Sequence, residues 1–359
     1  MTINDGSSLP TALGATSSRR GAILSVLGGS ALAGLSLATE AEAKKKKKKK
    51  TDPSWKPAAS IGNTGDQAHR LDGPNKVVLS SNGLELFVAD TNNDRIAIFN
   101  RHQGSSEWMW SGSIGSGGSA DDQFELPTGL AISANGRELF VADYSSSRIS
   151  IWSRESLSGS WSHRTNLGAF CLICSEGFNS PNSVTLAPNQ LELYVADYVM
   201  NKIIVWKRTD INSQWVPSTS FGSSGSENDQ FSSPESSAIS PDGSKLYVAD
   251  YSNNRVTIWT RSGQNWVYSD VIGGVNGPCQ PSITSDGSRI FIPEYGANRV
   301  SIWSFMTDHW DVEGTVPGPT PPSPENQLNG PYGTALSADG KTLYIADYVN
   351  NRIAVWKYS

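Results

Sequence analysis

From residue 86 onward one apolar–polar pattern recurs along the chain. "LFVADTNNDRIAIF" (86–99) sets an apolar run, a polar cluster and a run that alternates apolar with polar. The pattern returns as "LFVADYSSSRISIW" (139–152), "LYVADYVMNKIIVW" (193–206), "LYVADYSNNRVTIW" (246–259), "IFIPEYGANRVSIW" (290–303) and "LYIADYVNNRIAVW" (343–356). A short apolar run bounded by turn residues reads as a buried strand, and period-two alternation reads as a second strand beside it. The repeated acidic position falls at Asp90, Asp143, Asp197, Asp250, Glu294 and Asp347, in steps of 53, 54, 53, 44 and 53. Repeats near 45 residues suggest four strands per unit, the size of a propeller blade.

The rest of each unit supplies the other two strands. "LPTGLAISANGRE" (126–138) gives a proline, a small-apolar alternation and an Asn-Gly hairpin turn. Asp242 with Gly243, Asp286 with Gly287 and Asp339 with Gly340 repeat that turn. Asn-Gly and Asp-Gly are the strongest short hairpin signals. A looser segment with a tryptophan reads as the fourth strand: "EWMWSGSIG" (107–115), "QWVPSTSFG" (214–222) and "NWVYSDVIG" (265–273). The last unit ends after its third strand, while "SWKPAASIG" (54–62) looks like a fourth strand lacking its own three. Pairing the two closes a ring of six blades and removes the exposed edges of an open one. The predicted fold is therefore all-β, a six-bladed propeller over 54–359, closed by the N-terminal strand.

"GSADDQFELPTGLAISANGRELFVADYSSSRISIW" (118–152) resembles an NHL repeat: Gly-rich lead, Gln-Phe, Pro-x-Gly, a turn, then V-A-D-x-x-x-x-R. The likeness covers 54–359. It implies a six-bladed ring, which hosts hydrolases, lyases and pure interaction domains alike.

Residues present in every copy read as scaffold. Asp250 and Arg255 flank the turn "YSNN" (251–254), and an Asp–Arg pair there closes the corner. Asp and Asn side chains also bond nearby amides in such turns. Trp152, Trp206, Trp259, Trp303 and Trp356 end the third strands, with Phe99 in the sixth copy. Burying about 200 Å² per Trp stabilises by up to about 5 kcal/mol, which suits blade-on-blade packing. The tyrosines after the acidic position, Tyr144, Tyr198, Tyr251, Tyr295 and Tyr348, either cap a blade or present a hydroxyl to a ligand.

Residues that differ between blades point to function. The position after the blade-opening proline reads Asn75, Thr128, Asn182, Glu235, Cys279 and Tyr332. In NHL-like rings it lies near the mouth of the central funnel, the default ligand site. These six, the five tyrosines and Glu294 are the binding candidates. The fifth blade departs most: "GGVNGP" (273–278) omits the long lead, and Pro293 sits where a ladder donor belongs.

Charge and the termini narrow the choice. The first 43 residues resemble a twin-arginine export signal, with Arg19–Arg20, an apolar stretch over 22–38 and "AEA" at 41–43. An uncleaved anchor is the alternative. A run of seven lysines (44–50) in the linker 44–53 can serve as a solvated spacer or adhere to an anionic surface. Removing the nine basic and three acidic residues of 1–50 leaves 20 basic and 31 acidic, a net charge of −11. So acidic a body is a poor match for nucleic acid. The protein is expected outside the cytoplasm, as a monomer.

Cys171 and Cys174 have C-x-x-C spacing and suit a local disulfide; a second such pair, needed for structural zinc, is missing. His69, His102, His163 and His309 fall in loops or outer strands, so the zinc chemistry of related lyases is not expected. Likeness to lactonase-type propellers implies calcium held by a Glu, Asn and Asp set, which Asn75, Asn182 and Glu235 approximate. The expected function is a non-catalytic binding propeller without cofactor, engaging a peptide, protein or glycan on its loop-rich face. The alternative is a calcium-dependent lactonase- or esterase-like hydrolase in the funnel.

Overall fold

The computed structural model describes residues 54–62, 67–168, 177–317 and 323–359. The export segment, the lysine run and the pair Cys171 and Cys174 lie outside them. Six antiparallel sheets of four strands stand around a central channel. The innermost strands of blades one to six are Pro74–Leu79, Pro127–Ile132, Pro181–Leu186, Pro234–Ile239, Ser282–Ile283 and Pro331–Leu336. Each contacts the innermost strand of the next blade, and blade six meets blade one.

The ring closes as the orphan strand requires. Trp55–Ile61 pairs antiparallel with Arg352–Tyr358, from Trp55 opposite Tyr358 to Ile61 opposite Ile353. It thereby becomes the fourth strand of blade six. Aromatic contacts show that it fills a standard slot. A fourth-strand tryptophan meets an aromatic ring of the neighbouring blade edge-to-face: Trp161 on Phe87, Trp215 on Phe140, Trp266 on Tyr194, Trp310 on Tyr247 and Trp108 on Tyr344. Trp55 completes the set on Phe291, with ring centroids 5.5 Å apart. Each such pair adds about 1 kcal/mol beyond burial. On the outer seam Arg154 stacks on Trp161 at 4.5 Å and bonds Glu85 of blade one; Arg208 does the same with Trp215 and Glu138.

Four of the five third-strand tryptophans are buried between blades, Trp152, Trp206, Trp259 and Trp356, as is Phe99 in the sixth copy, while Trp303 of blade five is half-buried. Two glycines of the Pro-x-Gly motif have a steric reason. A Cβ on Gly129 would lie 2.5 Å from the Ser183 Cα, and one on Gly333 2.6 Å from the Asn75 carbonyl oxygen. Neighbouring inner strands approach too closely there for any side chain.

The acidic turn residue does more than close its own corner. Arg255 Nε donates to Asp250 Oδ2 at 2.7 Å, while Asp250 Oδ1 accepts the Ser232 amide at 2.7 Å. All six acidic residues accept an amide 18 positions earlier, so each turn holds the loop that leads into its blade. The arginine completes the staple: Arg255 also donates to the Ser226, Glu227 and Gln230 carbonyls. A further tie joins successive blades. Asn254 adopts the left-handed conformation at φ 53° and accepts the Gly277 amide at 2.8 Å. Asn298 takes Gly330 likewise, and Asn351 takes Gly73 across the closure.

Blade five is irregular for a reason visible in its composition. Pro281 and Pro293 both lack a ladder donor, and regular pairing of the inner strand shrinks to Ser282–Ile283. The Gln280 amide turns instead to the Tyr332 carbonyl of blade six at 2.9 Å.

Candidate functional site

The upper mouth of the channel holds a cavity of about 430 Å³. Asn75, Thr128, Asn182, Glu235 and Tyr332 line it from five blades, so the variable position does face the funnel. Tyr144, Tyr198, Tyr251, Tyr295 and Tyr348 form its rim. Each follows an acidic turn residue, and the last three open a 3₁₀ turn. Tyr332 packs between Tyr295 and Tyr348, with centroids 5.8 and 5.7 Å away.

Two expected residues are not on this surface. Cys279 is fully buried, its thiol 3.5 Å from the Gly277 carbonyl, and burial pushes that thiol well above its usual range. Glu294 is also fully buried; Arg299 grips it with two bonds and the Asn276 amide donates to it at 3.0 Å. It is the acidic staple of blade five and offers no contact to a ligand.

Glu235 is the chemical centre of the cavity. It is 3 % exposed, and burial raises its carboxyl to about 7. The Tyr332 hydroxyl donates to Oε1 at 2.9 Å and the Asn182 side-chain amide donates to Oε2, both opposing that rise. Desolvation wins because no cation faces the carboxylate; neither partner carries charge. A second network crosses the axis beside it: Gln280 Nε2 donates to Asn75 Oδ1 at 2.6 Å. Gln280 was not among the sequence candidates. The doubled proline of "PCQP" (278–281) was the trace it left.

These residues do not fit calcium as arranged. Calcium takes six to eight oxygens, with carboxylates prominent. Among the described residues no cluster of three or more His, Cys, Asp or Glu is suited to a metal. Glu235 is the sole carboxylate lining the cavity, Asn182 turns a donor to it, and the Asn75 oxygen is engaged by Gln280. The histidines lie elsewhere: His69 stacks on Trp110, His163 lies in the outer strand Ser162–Leu167, and His309 is bracketed by Asp308 and Asp311 outside.

Residues 167–359, more than half of the chain, match the family described as "Lactonase, 7-bladed beta-propeller". The chain belongs to this lactonase family. The family description has seven blades, whereas this lactonase-family chain closes its ring with six. The match spans the last four blades and includes Asn182, Glu235, Gln280 and Tyr332. It identifies this family and does not bear on the likeness of the blade pattern to an NHL repeat. It also overturns the expected non-catalytic binding function, since a lactonase family points to hydrolysis. Hydrolysis does not require a histidine, since a buried glutamate can supply the base.

No curated protein matches the sequence. Solved structures share the fold. A Bacteroides uniformis protein assigned as a 6-phosphogluconolactonase is 17% identical, with 80% of this chain and 82% of that one covered and a TM-score of 0.58. A periplasmic gluconolactonase of Pseudomonas aeruginosa is 16% identical over 79% and 81%, with a TM-score of 0.54. The hydrazine synthase of Kuenenia stuttgartiensis is 16% identical over 80% and 96%, with a TM-score of 0.53. At such identities the likeness concerns the ring alone.

Proposed function

We propose that the protein is a lactone hydrolase whose general base is Glu235. The observation that carries this reading is a buried carboxylate, raised to about 7, lining an open cavity in a lactonase-family chain. A base of that strength is half ionised near neutral pH, where it balances availability against proton affinity. Water attacks the lactone carbonyl carbon while its proton passes to the Glu235 carboxylate. The carbonyl electron pair moves to oxygen. The intermediate then collapses, the ring C–O bond breaks, and the departing alkoxide takes the proton back from Glu235. The product is a hydroxy acid and the enzyme is restored. Tyr332 and Asn182 position the carboxylate. The rim hydroxyls suit a hydroxyl-rich substrate such as a sugar lactone. No step passes through a metal, in keeping with the donor set.

The test is hydrolysis of a panel of sugar lactones by wild type, Glu235→Gln and Tyr332→Phe. Glu235→Gln should lower kcat by about 10²–10⁴-fold, the usual weight of a general base. Wild-type kcat/KM should rise with pH to a plateau above about 7, since only the ionised carboxylate accepts the proton. Full turnover by Glu235→Gln across the panel would refute the assignment.

We further propose that the blades follow NHL-type repeat grammar and that the protein acts outside the cytoplasm. Support for export comes from Arg19–Arg20, the apolar stretch and "AEA". Changing both arginines to lysine should retain the protein inside; normal export of that variant would remove the twin-arginine reading.

A further inference from the structure

The channel holds a second chamber of about 310 Å³ beyond the catalytic cavity, on the far side of the ring. It is built by the residues that follow the funnel position. Lys76, Ser183, Ser236 and Gln280 line it, while the same position in blades two and six is Gly129 and Gly333. The glycines are imposed by strand approach, so the long side chains of Lys76 and Gln280 have room to reach into the lumen.

Lys76 is the sole charged residue among the chamber's described lining, and no acid faces it there. The hydrogen bond its ammonium makes is a long one, 3.4 Å to the Thr334 carbonyl. Burial lowers the amine to about 8, so at pH 7 it is still protonated. A cation in such a setting lacks a counter-charge. A cation that no carboxylate faces is the complement of an anionic oxygen group.

The remaining wall has the opposite character. Toward the far opening the chamber is lined by Leu79, Ile132, Leu186 and Leu336, each half-buried and turned partly to the lumen. Lys76 and Leu79 are three residues apart on one strand, about 10 Å, so a short aliphatic chain anchored at Lys76 extends toward the leucines. The chamber thus grades from a cationic end to an apolar end.

We propose that this second chamber binds a short-chain aliphatic carboxylate, its head on Lys76 and its tail along the leucine-lined exit. The site is separate from the hydrolytic one and does not depend on it. The ring thereby carries two ligand chambers on one axis, divided by the Asn75–Gln280 bond.

The experiment is calorimetric titration of the full chain with sodium hexanoate, sodium acetate and hexanol. Hexanoate should bind at one site. Acetate should bind roughly 100-fold more weakly, because four methylenes lose their burial. Hexanol should bind at least 10-fold more weakly, having no charge for Lys76. Lys76→Met should lose the hexanoate preference and Lys76→Arg should keep it. If Lys76→Met does not fold, Lys76→Gln tests the same head-group charge and should likewise lose the preference for hexanoate over hexanol. Equal affinity for hexanol and hexanoate would overturn the proposal. So would unchanged binding in Lys76→Met or Lys76→Gln, or binding lost in Tyr332→Phe instead, which would place the ligand in the upper cavity.

Discussion

Glu235→Gln should stabilise the protein at pH 8 and leave it nearly unchanged at pH 4. In the unfolded chain the carboxyl titrates at its ordinary value of 4.5; in the ring it titrates at about 7. The folded state therefore holds its proton more tightly. Between these values the native form binds more protons than the unfolded one, so stability falls as pH rises, and above 7 the loss is complete. A rise of about 2.5 at 1.36 kcal/mol per pH unit corresponds to about 3 kcal/mol. Glutamine keeps the shape, accepts the Tyr332 hydroxyl and cannot ionise. Asn182 can turn its amide to accept from the new NH₂. The variant should thus gain about 3 kcal/mol over wild type at pH 8 and a few tenths at pH 4, or roughly 6 °C in Tm at the higher pH. Urea unfolding of both proteins at the two pH values measures this directly. A stability difference independent of pH would refute the reasoning, because it would mean that the carboxyl does not titrate abnormally. Stabilisation at pH 8 together with loss of turnover would be the mark of a group kept for chemistry at the expense of the fold.

Trp55→Ala should destabilise the ring by about 2–4 kcal/mol, the range for a large core truncation at a site not wholly buried; deletion of residues 52–62 should also promote aggregation by freeing the edge of Arg352–Tyr358. Thermal melts with light scattering check both, and a truncated protein that melts like the full chain as a monomer would disprove the closure. Asn254→Ala should lose about 2 kcal/mol, about half from the left-handed backbone and half from the bond to Gly277. Asn254→Gly should recover the backbone half, and equal losses in the two variants, read by denaturant unfolding, would show that the conformation contributes nothing.

The ring was legible because blade packing repeats in sequence. Six copies of one strand–turn–strand pattern announced six sheets, and the orphan "SWKPAASIG" announced how they close. The staples were half legible. Asp250 and Arg255 could be paired from their spacing, but the amide that Asp250 holds 18 residues back belongs to Ser232, and a backbone donor leaves no side-chain trace. The asparagine at 254, 298 and 351 was visible as a repeat, yet its partner lies in the following blade, beyond any local pattern. The funnel position was found by its variation, which gave six candidates with Glu235 among them; five of the six line the cavity. Lys76 and Gln280 were not found, and the reason is geometric. Blades stand edge-on to the channel, so period-two alternation sorts residues between the two neighbouring blades and does not sort lumen from core. Consecutive residues such as Asn75 and Lys76 can then line two different chambers.

The catalytic proposal ties function to closure of the ring in a way that no single blade could support. Asn182 comes from blade three, Glu235 from blade four and Tyr332 from blade six, and the neighbouring bond joins Gln280 at the opening of blade five to Asn75 of blade one. Five of six blades meet within two hydrogen-bonded networks. Blade six is itself completed by the N-terminal strand, so the placement of Tyr332 depends on residues nearly 300 positions away in sequence. A raised carboxylate needs neutral partners held at fixed distance, because an approaching cation would let it ionise at its ordinary pH. The staples and interblade ties supply that rigidity around the rim. They consist of repeated residues, which leaves the one variable position of each inner strand free to carry chemistry. That division explains why the repeated Asp and Arg residues, the most conspicuous polar groups in the sequence, are scaffold, and why the catalytic proposal falls on a lone glutamate at an unrepeated position.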